Sequence, residues 1–214
     1  MIIVFEGIHG CGKTTLLNKL RSWIKLNLKT PFITTKWNSY PNLKEFGNEL
    51  KDKDLLDPLE SSLLYGLDFN LRYKNIILPT LEKGGLVLCD RYIYTAYVRD
   101  GLRNISTTLL NEMYGHAKEP DIIFFLKIDP ETAINRLEKT IEKRSNYILG
   151  LDLNLSSNKI ENFKKFLYLQ DKYYNKIIVE NKKNFYVINS LDDENHQFDT
   201  VLKIFKNHFE DSQL

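Results

Sequence analysis

The residues with the clearest chemical meaning lie near the start of the chain, where positions 7–14 read Gly-Ile-His-Gly-Cys-Gly-Lys-Thr after an apolar run. A glycine, four residues and then Gly-Lys-Thr is the spacing of a phosphate-binding loop between a strand and a helix. The glycines let backbone N–H groups approach an anion closely. Lys13 is then expected to reach the β- and γ-phosphates of a nucleotide, and the Thr14 hydroxyl to coordinate Mg²⁺. The predicted nucleotide-binding residues are His9, Gly10, Cys11, Gly12, Lys13, Thr14 and Thr15.

A second group follows the apolar run Leu86–Cys89, which ends in Asp90 and Arg91. In an open parallel sheet, ligands bind beyond the carboxyl ends of the strands, and the phosphate loop leaves the first strand at that same edge. We therefore expect Asp90 to face the metal beside Thr14, and Arg91 to contact the phosphoryl groups on which charge develops. The alternative is an aspartate that hydrogen-bonds a turn and an arginine paired with it at the surface.

A third group is basic and comprises Arg136, Lys139, Lys143 and Arg144. Basic residues at the end of a helix are common, because they complement the helix dipole and stay solvated. The functional interpretation is a closing lid over residues 136–158, in which arginines neutralise the transferring phosphoryl group. Within this group the two arginines, Arg136 and Arg144, are preferred to the lysines.

Composition fits one α/β domain spanning residues 1–214, with 43% hydrophobic and 27% charged residues. The near balance of 30 Lys+Arg against 28 Asp+Glu gives no argument for a nucleic-acid or membrane-surface partner. The chain opens in a strand without a signal-peptide pattern, and its apolar runs are too short to cross a bilayer, so a cytoplasmic protein is expected. We expect Cys89 to lie in the core and Cys11 to be a small loop residue, with no metal cluster between them.

Short apolar runs alternate with helical stretches, a pattern typical of βαβ units in a five-stranded, mostly parallel sheet flanked by helices. The predicted strands are Ile2–Phe5, Phe32–Thr35, Leu86–Cys89, Ile122–Ile128 and Phe185–Ile188. The predicted helices are Lys13–Leu28, Leu43–Lys51, Pro58–Lys83, Thr107–His116, Pro130–Glu142, Ile160–Glu180 and Phe198–His208. Pro79 should kink or end its helix, and Ser145–Asn158 is a candidate mobile loop.

Three segments together resemble the thymidylate kinase family in order and spacing: residues 5–15, Cys89–Tyr92, and the run Ile128-Asp129-Pro130-Glu131. The similarity covers most of the chain. It implies the P-loop NTPase fold of a nucleoside monophosphate kinase with a short mobile lid. It also implies ATP on the phosphate loop, Mg²⁺, and transfer of the γ-phosphoryl group to a nucleoside 5′-monophosphate, giving the diphosphate and ADP. Tyr65 matches the family's aromatic residue that stacks on the acceptor base.

The chain departs from the family pattern on the acceptor side. His9 stands where the family usually has an acid that contacts the acceptor sugar, and Lys36 where an arginine usually holds the acceptor phosphate. Phe69 replaces an arginine that reads the thymine edge, although Arg72 is one turn away. The run after Asp90 is about two residues short, with Arg99-Asp100 where glutamine would follow. These changes leave phosphoryl transfer well supported but the identity of the base open.

The predicted catalytic residues are Lys13, Asp90, Arg91, Arg136 and Arg144. The substrate-binding residues are His9, Lys36, Tyr65, Phe69, Arg72, Arg91, Thr95 and Tyr97, and the metal ligands are Thr14 and Asp90. The resemblance, together with an aromatic-rich helix over Asn162–Tyr174, is compatible with a homodimer.

Two other functions use parts of the same pattern. A deoxynucleoside or other small-molecule kinase needs a base for its hydroxyl acceptor, usually a carboxylate just after the second strand, where this chain has Lys36. A non-catalytic ATP-binding switch is a different class. Its GTPase-like form should carry Asn-Lys-x-Asp, whereas residues 158–161 read Asn-Lys-Ile-Glu. A monophosphate kinase with a specialised substrate, such as a modified nucleotide, would keep the leading chemistry.

Overall fold

The computed structural model describes residues 1–53, 55–181 and 184–211. Within these residues the sheet has five strands, in the order β2-β3-β1-β4-β5. The strands are β1 (Ile2–Glu6), β2 (Phe32–Lys36), β3 (Leu86–Asp90), β4 (Ile122–Lys127) and β5 (Phe185–Asn189). All four pairings are parallel, so the predicted α/β fold is confirmed and each predicted strand is present to within a residue.

Helices cover both faces of this sheet. They are α1 (Lys13–Asn27), α2 (Leu43–Asp52), α3 (Pro58–Arg72), α4 (Leu78–Glu82), α5 (Ile93–Gly101), α6 (Thr107–Tyr114), α7 (Pro130–Leu137), α8 (Asn146–Leu149), α9 (Lys159–Glu180) and α10 (Glu194–Asp211). Two of them start at acidic caps, since Asp57 accepts from the Glu60 N–H and Asp129 from the Thr132 N–H. No helix in the described part of the chain is long and apolar enough to span a bilayer.

The register of the central strands aligns the carboxyl ends that carry the chemistry. Strands β1, β3 and most of β4 are fully buried, which explains their continuous apolar sequences. Phe5 pairs with Asp90 on one side and with Phe124 on the other. The loops that follow β1 and β3 therefore leave the sheet at the same height.

The two faces of the sheet carry different cores. Because side chains alternate along β1, Ile3 and Phe5 pack in one cluster with residues of α1, α9 and α10. Ile2 and Val4 pack in the other cluster, on the opposite face. The second cluster is rich in tyrosine and includes Cys89. Burial raises the pKa of the Cys89 thiol to about 12, which agrees with its predicted place in the core.

Helix α5 is the main element that the sequence did not predict. Its residues include the β-branched and aromatic run Ile93-Tyr94-Thr95, which favours a strand when judged by propensity alone. The helix nevertheless buries Ala96 and Val98, so tertiary packing decides its conformation. The result matters because α5 carries Arg99 and Asp100 into the interior.

The long helix predicted over Pro58–Lys83 is interrupted, but upstream of its proline. Helix α3 ends at Arg72, a π-helical segment covers Tyr73–Ile77, and α4 begins with Pro79 at its second position. Proline lacks an N–H and its ring clashes with the preceding turn, so the backbone widens before it. The interruption is confirmed, one turn earlier than expected.

The predicted loop Ser145–Asn158 contains regular structure and is packed. The α-helix before it ends at Leu137 rather than Glu142, and a 3-10 segment covers Glu138–Lys143. Beyond Ser145 the chain forms α8 and a 3-10 turn over Leu151–Leu153. Arg103 anchors this part, because its guanidinium donates to Asp152 at 2.7 and 2.9 Å and to the Tyr147 carbonyl at 2.6 Å. Closure of a lid over residues 136–158 stays a prediction.

We predict that Gly10 is more sensitive to a side chain than another glycine with positive φ. Alanine at Gly10 adopts φ +83° and places its Cβ 2.8 Å from the Ala133 carbonyl oxygen. Gly84 has φ +69° but nothing within 4 Å of its Cβ position. Gly84→Ala should lower the free energy of unfolding by about 1–2 kcal/mol, and Gly10→Ala by about 1–3 kcal/mol more, because a backbone atom cannot yield. Urea unfolding followed by circular dichroism measures both, and equal losses would contradict the close approach.

Candidate active site

The phosphate loop has the backbone geometry that its glycines allow. Gly7, Gly10 and Gly12 have φ of 136°, 83° and 95°. Gly12 precedes α1 and makes no side-chain cap, so the first N–H groups of the helix point toward the loop without a capping oxygen. Such N–H groups, together with the helix dipole, favour an anion at this position.

Lys13 folds back over this loop. Its Nζ donates to the carbonyls of Gly7 at 3.0 Å and Ile8 at 2.8 Å, and lies 3.3 Å from the Cys11 Sγ. The side chain is buried, and burial together with the charge of Arg91 lowers its pKa. The ammonium group is thus held at the loop by carbonyl oxygens rather than by a carboxylate.

Thr14 and Asp90 meet as the sequence predicted. The Thr14 hydroxyl donates to the Asp90 Oδ2 at 2.7 Å, across the edge between α1 and β3. A hydroxyl and a carboxylate oxygen are hard donors of the kind that Mg²⁺ prefers, usually alongside water and substrate phosphates. This donor pair therefore fits a magnesium ion.

Arg91 is positioned by a buried carboxylate. It has φ 76°, a left-handed conformation that is uncommon outside glycine. Its Nη1 lies 3.8 Å from the Glu6 Oε2, and donates to the hydroxyls of Thr95 at 3.2 Å and Tyr174 at 3.4 Å. Both hydroxyls donate in turn to Glu6, as does the Tyr92 N–H at 2.8 Å. The Arg91 Nη2 is buried and has no hydrogen-bond partner among the residues that the structure describes.

A cavity of about 400 Å³ lies in front of the loop. Its lining consists of His9, Gly10, Gly12, Lys13, Thr14, Thr15, Lys36, Asp90, Arg91, Arg136, Leu137 and Arg144. Five of these side chains are cationic and Asp90 is the one carboxylate among them. Of the basic group at the end of α7, the two arginines line the cavity and the two lysines do not.

The two arginines reach the loop in different ways. Arg136 donates to the Gly10 carbonyl at 3.3 Å and to the Ser190 carbonyl at 2.9 Å, which ties α7 to the loop and to the end of β5. Arg144 lies 3.4 Å from the Nδ1 of His9 and donates to the Thr140 hydroxyl at 3.4 Å. The Arg144 Nε is buried, and no described residue accepts a hydrogen bond from it.

His9 lies between two guanidinium groups. Its Nε2 is 2.6 Å from the Nη2 of Arg99 and its Nδ1 faces Arg144. Burial and the nearby charges of Arg99, Arg91, Lys13 and Arg144 hold the pKa of the imidazole well below 6.5. His9 is therefore neutral at physiological pH.

The predicted acceptor residues separate into two groups. His9, Lys36 and Arg91 line the cavity. Tyr65 and Phe69 lie in the aromatic core behind it, where both rings are 6.1 Å from Trp37 by centroid. Tyr65 also lies 5.5 Å from Tyr147 of α8, so this cluster joins the helix after the basic group to α3.

Three further predicted acceptor residues have structural partners. Arg72 is 1% exposed, and its Nε donates to the Asp68 Oδ2 at 2.7 Å, while Nη1 donates to the Thr35 hydroxyl at 3.1 Å. Thr95 belongs to the Glu6 network described above. Tyr97 lines a different cavity, where its hydroxyl donates to Asn111 at 2.8 Å.

Sequence reasoning assigned no role to Glu6, Tyr174 or Arg99. Glu6 could have been found, because a glutamate that ends an apolar strand directly before the phosphate loop needs a partner in the interior. Tyr174 comes from α9, about 170 residues away, and its contact with Glu6 gives no local signal. Arg99 required the unpredicted helix α5 to bring it to His9.

A glycine-rich loop before a helix, a hydroxyl–carboxylate pair that fits Mg²⁺ and five cationic side chains around one cavity are features of the class of P-loop phosphotransferases. The fold agrees with this class. A crystal structure of thymidylate kinase from Ehrlichia chaffeensis superposes with a TM-score of 0.72, covering 96% of this chain and 98% of that one at 23% identity.

Family membership follows from the sequence comparisons. Residues 5–198 match the family model described as Thymidylate kinase. A probable thymidylate kinase 2 from Saccharolobus solfataricus is 35% identical over 188 residues, which cover 88% of this chain and 87% of the relative. A thymidylate kinase from Mycoplasmopsis agalactiae is 32% identical, over 97% of this chain and 95% of the relative. The chain belongs to the thymidylate kinase family, and the predicted nucleoside monophosphate kinase is confirmed.

We predict that the Glu6 carboxylate stabilises the fold by compensating Arg91. In Glu6→Gln the arginine loses its charge partner in the interior, so the free energy of unfolding should fall by about 3–5 kcal/mol. Glu180→Gln is the matched control, because Glu180 pairs with Lys176 at 3.9 Å with both side chains exposed. That change should stay within about 0.5 kcal/mol. Urea unfolding measures both, and a Glu6→Gln loss as small as the control's would refute the compensation.

Proposed function

We propose that this protein transfers the γ-phosphoryl group of ATP to thymidine 5′-monophosphate, giving thymidine diphosphate and ADP. The observation that carries the proposal is the cavity with five cationic side chains and one carboxylate, which suits two phosphate-bearing ligands held end to end. The names of the relatives support thymidine monophosphate as the acceptor. As an enzyme of nucleotide metabolism it is proposed to work in the cytoplasm.

Thr14 and Asp90 are proposed as the protein ligands of Mg²⁺, because their oxygens are already 2.7 Å apart at the mouth of the loop. Bound there, the ion supplies charge neutralisation on the β- and γ-phosphates. Asp90 also has its carbonyl fixed, since it accepts from the Trp37 N–H at 3.1 Å. The donors are thus held by the sheet rather than by a loose loop.

The remaining cations are proposed to act on the transferring group. Lys13 and the N–H groups of α1 hold the β- and γ-phosphates, and Arg91 and Arg144 stabilise the charge on the equatorial oxygens. Arg136 is placed to bind the donor, since it contacts the loop at Gly10. No protein base is needed, because the acceptor oxygen belongs to a phosphate that is already anionic.

A hydroxyl acceptor suits this site less well. A nucleoside kinase needs a carboxylate near the acceptor hydroxyl. Among the lining residues that the structure describes, Asp90 is the one carboxylate, and it is bonded to Thr14. Lys36 lines the cavity where such a base would follow β2. It supports a phosphate acceptor, as a point charge without the two-pronged grip of arginine.

The acceptor base is proposed to stack on Tyr65. This ring lies between Trp37 and Tyr147, with centroids 6.1 and 5.5 Å away, and apolar aromatic walls favour a flat base. Phe69 and Arg72 then act as supports of this wall, since Phe69 packs on Trp37 and Arg72 is held by Asp68.

We predict that catalysis depends on Lys13 and on Arg144. Lys13→Ala and Arg144→Gln should each lower kcat/KM by about 10²- to 10³-fold or more, because each removes a donor to the transferring group. Lys25→Ala is the control for Lys13, since Lys25 lies exposed near the end of the same helix. It should have wild-type activity.

The assay is ADP release from ATP and Mg²⁺ with a panel of ribo- and deoxyribonucleoside 5′-monophosphates, and with thymidine alongside. Thymidine 5′-monophosphate is expected to give the highest kcat/KM. Turnover only with thymidine would contradict the monophosphate proposal, and full activity of Lys13→Ala would contradict the role of the phosphate loop. Preference for a different base would retain the proposed monophosphate kinase activity but would replace thymidine 5′-monophosphate as the substrate.

A homodimer is proposed to form through α3. The aromatic face of α9, on which a dimer was expected, is used inside the chain: Phe163, Phe166 and Tyr174 are buried. Helix α3 instead exposes Leu59, Leu63 and Leu67 at 44%, 47% and 50%. These lie one turn apart on one face and form an apolar stripe. A second copy can cover such a stripe with its own by a two-fold axis.

Leu63→Glu tests this surface, because two buried carboxylates would face each other across the axis. We expect the variant to be monomeric by light scattering after size exclusion at concentrations where the wild-type chain is dimeric. Leu26→Glu is the control, since Leu26 is 84% exposed on α1. A monomeric wild-type chain, or a dimeric Leu63→Glu variant, would exclude the α3 interface.

A further inference from the structure

His9 and Arg99 are both departures from the family pattern, and they contact each other. The Arg99 Nη2 lies 2.6 Å from the His9 Nε2, and Arg103, one turn further, donates to the Arg99 carbonyl at 3.1 Å. Arg99 is 7% exposed. A guanidinium can only donate hydrogen bonds, so the Nε2 atom must be the acceptor.

This contact decides where the imidazole carries its proton. A neutral histidine has one N–H, and with Nε2 accepting, the proton lies on Nδ1. The Nδ1 side faces Arg144, whose Nη1 is 3.4 Å away and is also a donor. Two N–H groups that face each other do not bond, so both need an acceptor from outside.

The surrounding charges do not supply that acceptor. Among the described residues, neither Arg99 nor Arg144 forms an ion pair with an acidic side chain. Within the described part of the chain, the Arg91 Nη2, the Arg99 Nε and the Arg144 Nε are buried and have no hydrogen-bond partner. Buried donors without acceptors are rare, and here they gather beside a cavity that His9 and Arg144 both line.

We propose that Arg99 fixes His9 in its Nδ1–H form, and that His9 Nδ1–H and the Arg144 guanidinium together bind one phosphoryl oxygen of the substrates. The proposal rests on the proposed function, and it makes Arg99 a positioning residue that acts through His9. A carboxylate at position 9 would accept a hydrogen bond from a sugar hydroxyl. The histidine donates instead, so the loop grips a phosphate where the family's acid contacts a sugar.

The neutral state of His9 is part of this arrangement. Burial disfavours the imidazolium, and four cations lie near it: Lys13 at the start of α1, Arg91 directly after β3, Arg99 on α5 and Arg144 in the basic segment. These depress the folded-state pKa below the unfolded value, so protonation would favour unfolding as pH falls through about 6.5. The donor therefore stays neutral over the physiological range.

Nitrogen-15 NMR of the histidine side chains in the intact protein tests the tautomer directly. The chain has four histidines, and His9 is assigned by its loss in His9→Asn. We expect a neutral Nδ1–H imidazole from pH 8 to pH 6, and in Arg99→Met a shift of population to Nε2–H. An Nε2–H or protonated His9 in the wild-type protein would overturn the proposal.

Two titrations identify the phosphoryl oxygen. One uses a non-hydrolysable ATP analogue with Mg²⁺, the other thymidine 5′-monophosphate alone. A downfield shift of the Nδ1 proton with the ATP analogue would show that His9 binds a phosphate of the donor. The same shift with the monophosphate would show that it binds the phosphate of the acceptor. No shift with either would overturn the phosphate contact. These NMR readouts need no turnover. A protein without kinase activity that shows the expected tautomer and shift would therefore contradict the proposed function but not the role of His9.

Paired variants separate donating from accepting at position 9. His9→Asn keeps an N–H that can take the Nδ1 place, whereas His9→Asp offers only acceptors. We expect His9→Asp to raise the KM of the affected nucleotide about ten- to hundredfold relative to His9→Asn, because a hydrogen bond to a charged group is lost. If the KM of His9→Asp is equal to or lower than that of His9→Asn, the donor role is overturned. If His9→Asp does not fold, the wild-type tautomer and titrations decide.

Discussion

The buried carboxylate of Glu6 is the interaction on which the site depends. It ends the central strand directly before the phosphate loop, and it accepts hydrogen bonds from the chain after β3 and from α9. A charge in the interior is tolerated only when it is paired and bonded. Glu6 meets this condition because Arg91, whose Nη1 lies 3.8 Å from the Glu6 Oε2, is its charge partner. Glu6 thus connects three elements of the fold. It also positions Arg91, a cation that lines the cavity.

Beyond Glu6 the positive charge exceeds what the chain compensates. Lys13, Arg91, Arg99 and Arg144 surround His9, and burial together with Arg91 lowers the pKa of Arg144 as well as of Lys13. Such an excess costs stability in the free protein, and bound phosphates would remove the cost. The site is therefore built to be completed by its substrates, and their affinity includes the relief of this repulsion.

The fold, and which residues come together around the phosphate loop, could be predicted because their signals are local. The spacing of Gly7 and Lys13, or an acid at the end of an apolar strand, carries its meaning within a few residues, and Thr14 and Asp90 do meet. The acceptor half could not be predicted in the same way. Its aromatic wall joins Trp37, Tyr65 and Tyr147 from distant segments, and α5 adopts a helix against its local propensity.

The departures from the family pattern have meaning as a set rather than one by one. In the sequence alone, His9 and Arg99, which are about ninety residues apart, are two unrelated departures from the family pattern. In the structure they share one hydrogen bond, and the arginine gives the histidine the donor that the loop presents to the cavity. Replacing the acid with histidine alone would leave His9 without the Arg99 donor that fixes its tautomer, and introducing Arg99 alone would pair it with the acid. The two changes are consistent only together, so the acceptor side of this enzyme is an alternative solution to phosphate binding rather than a degraded one.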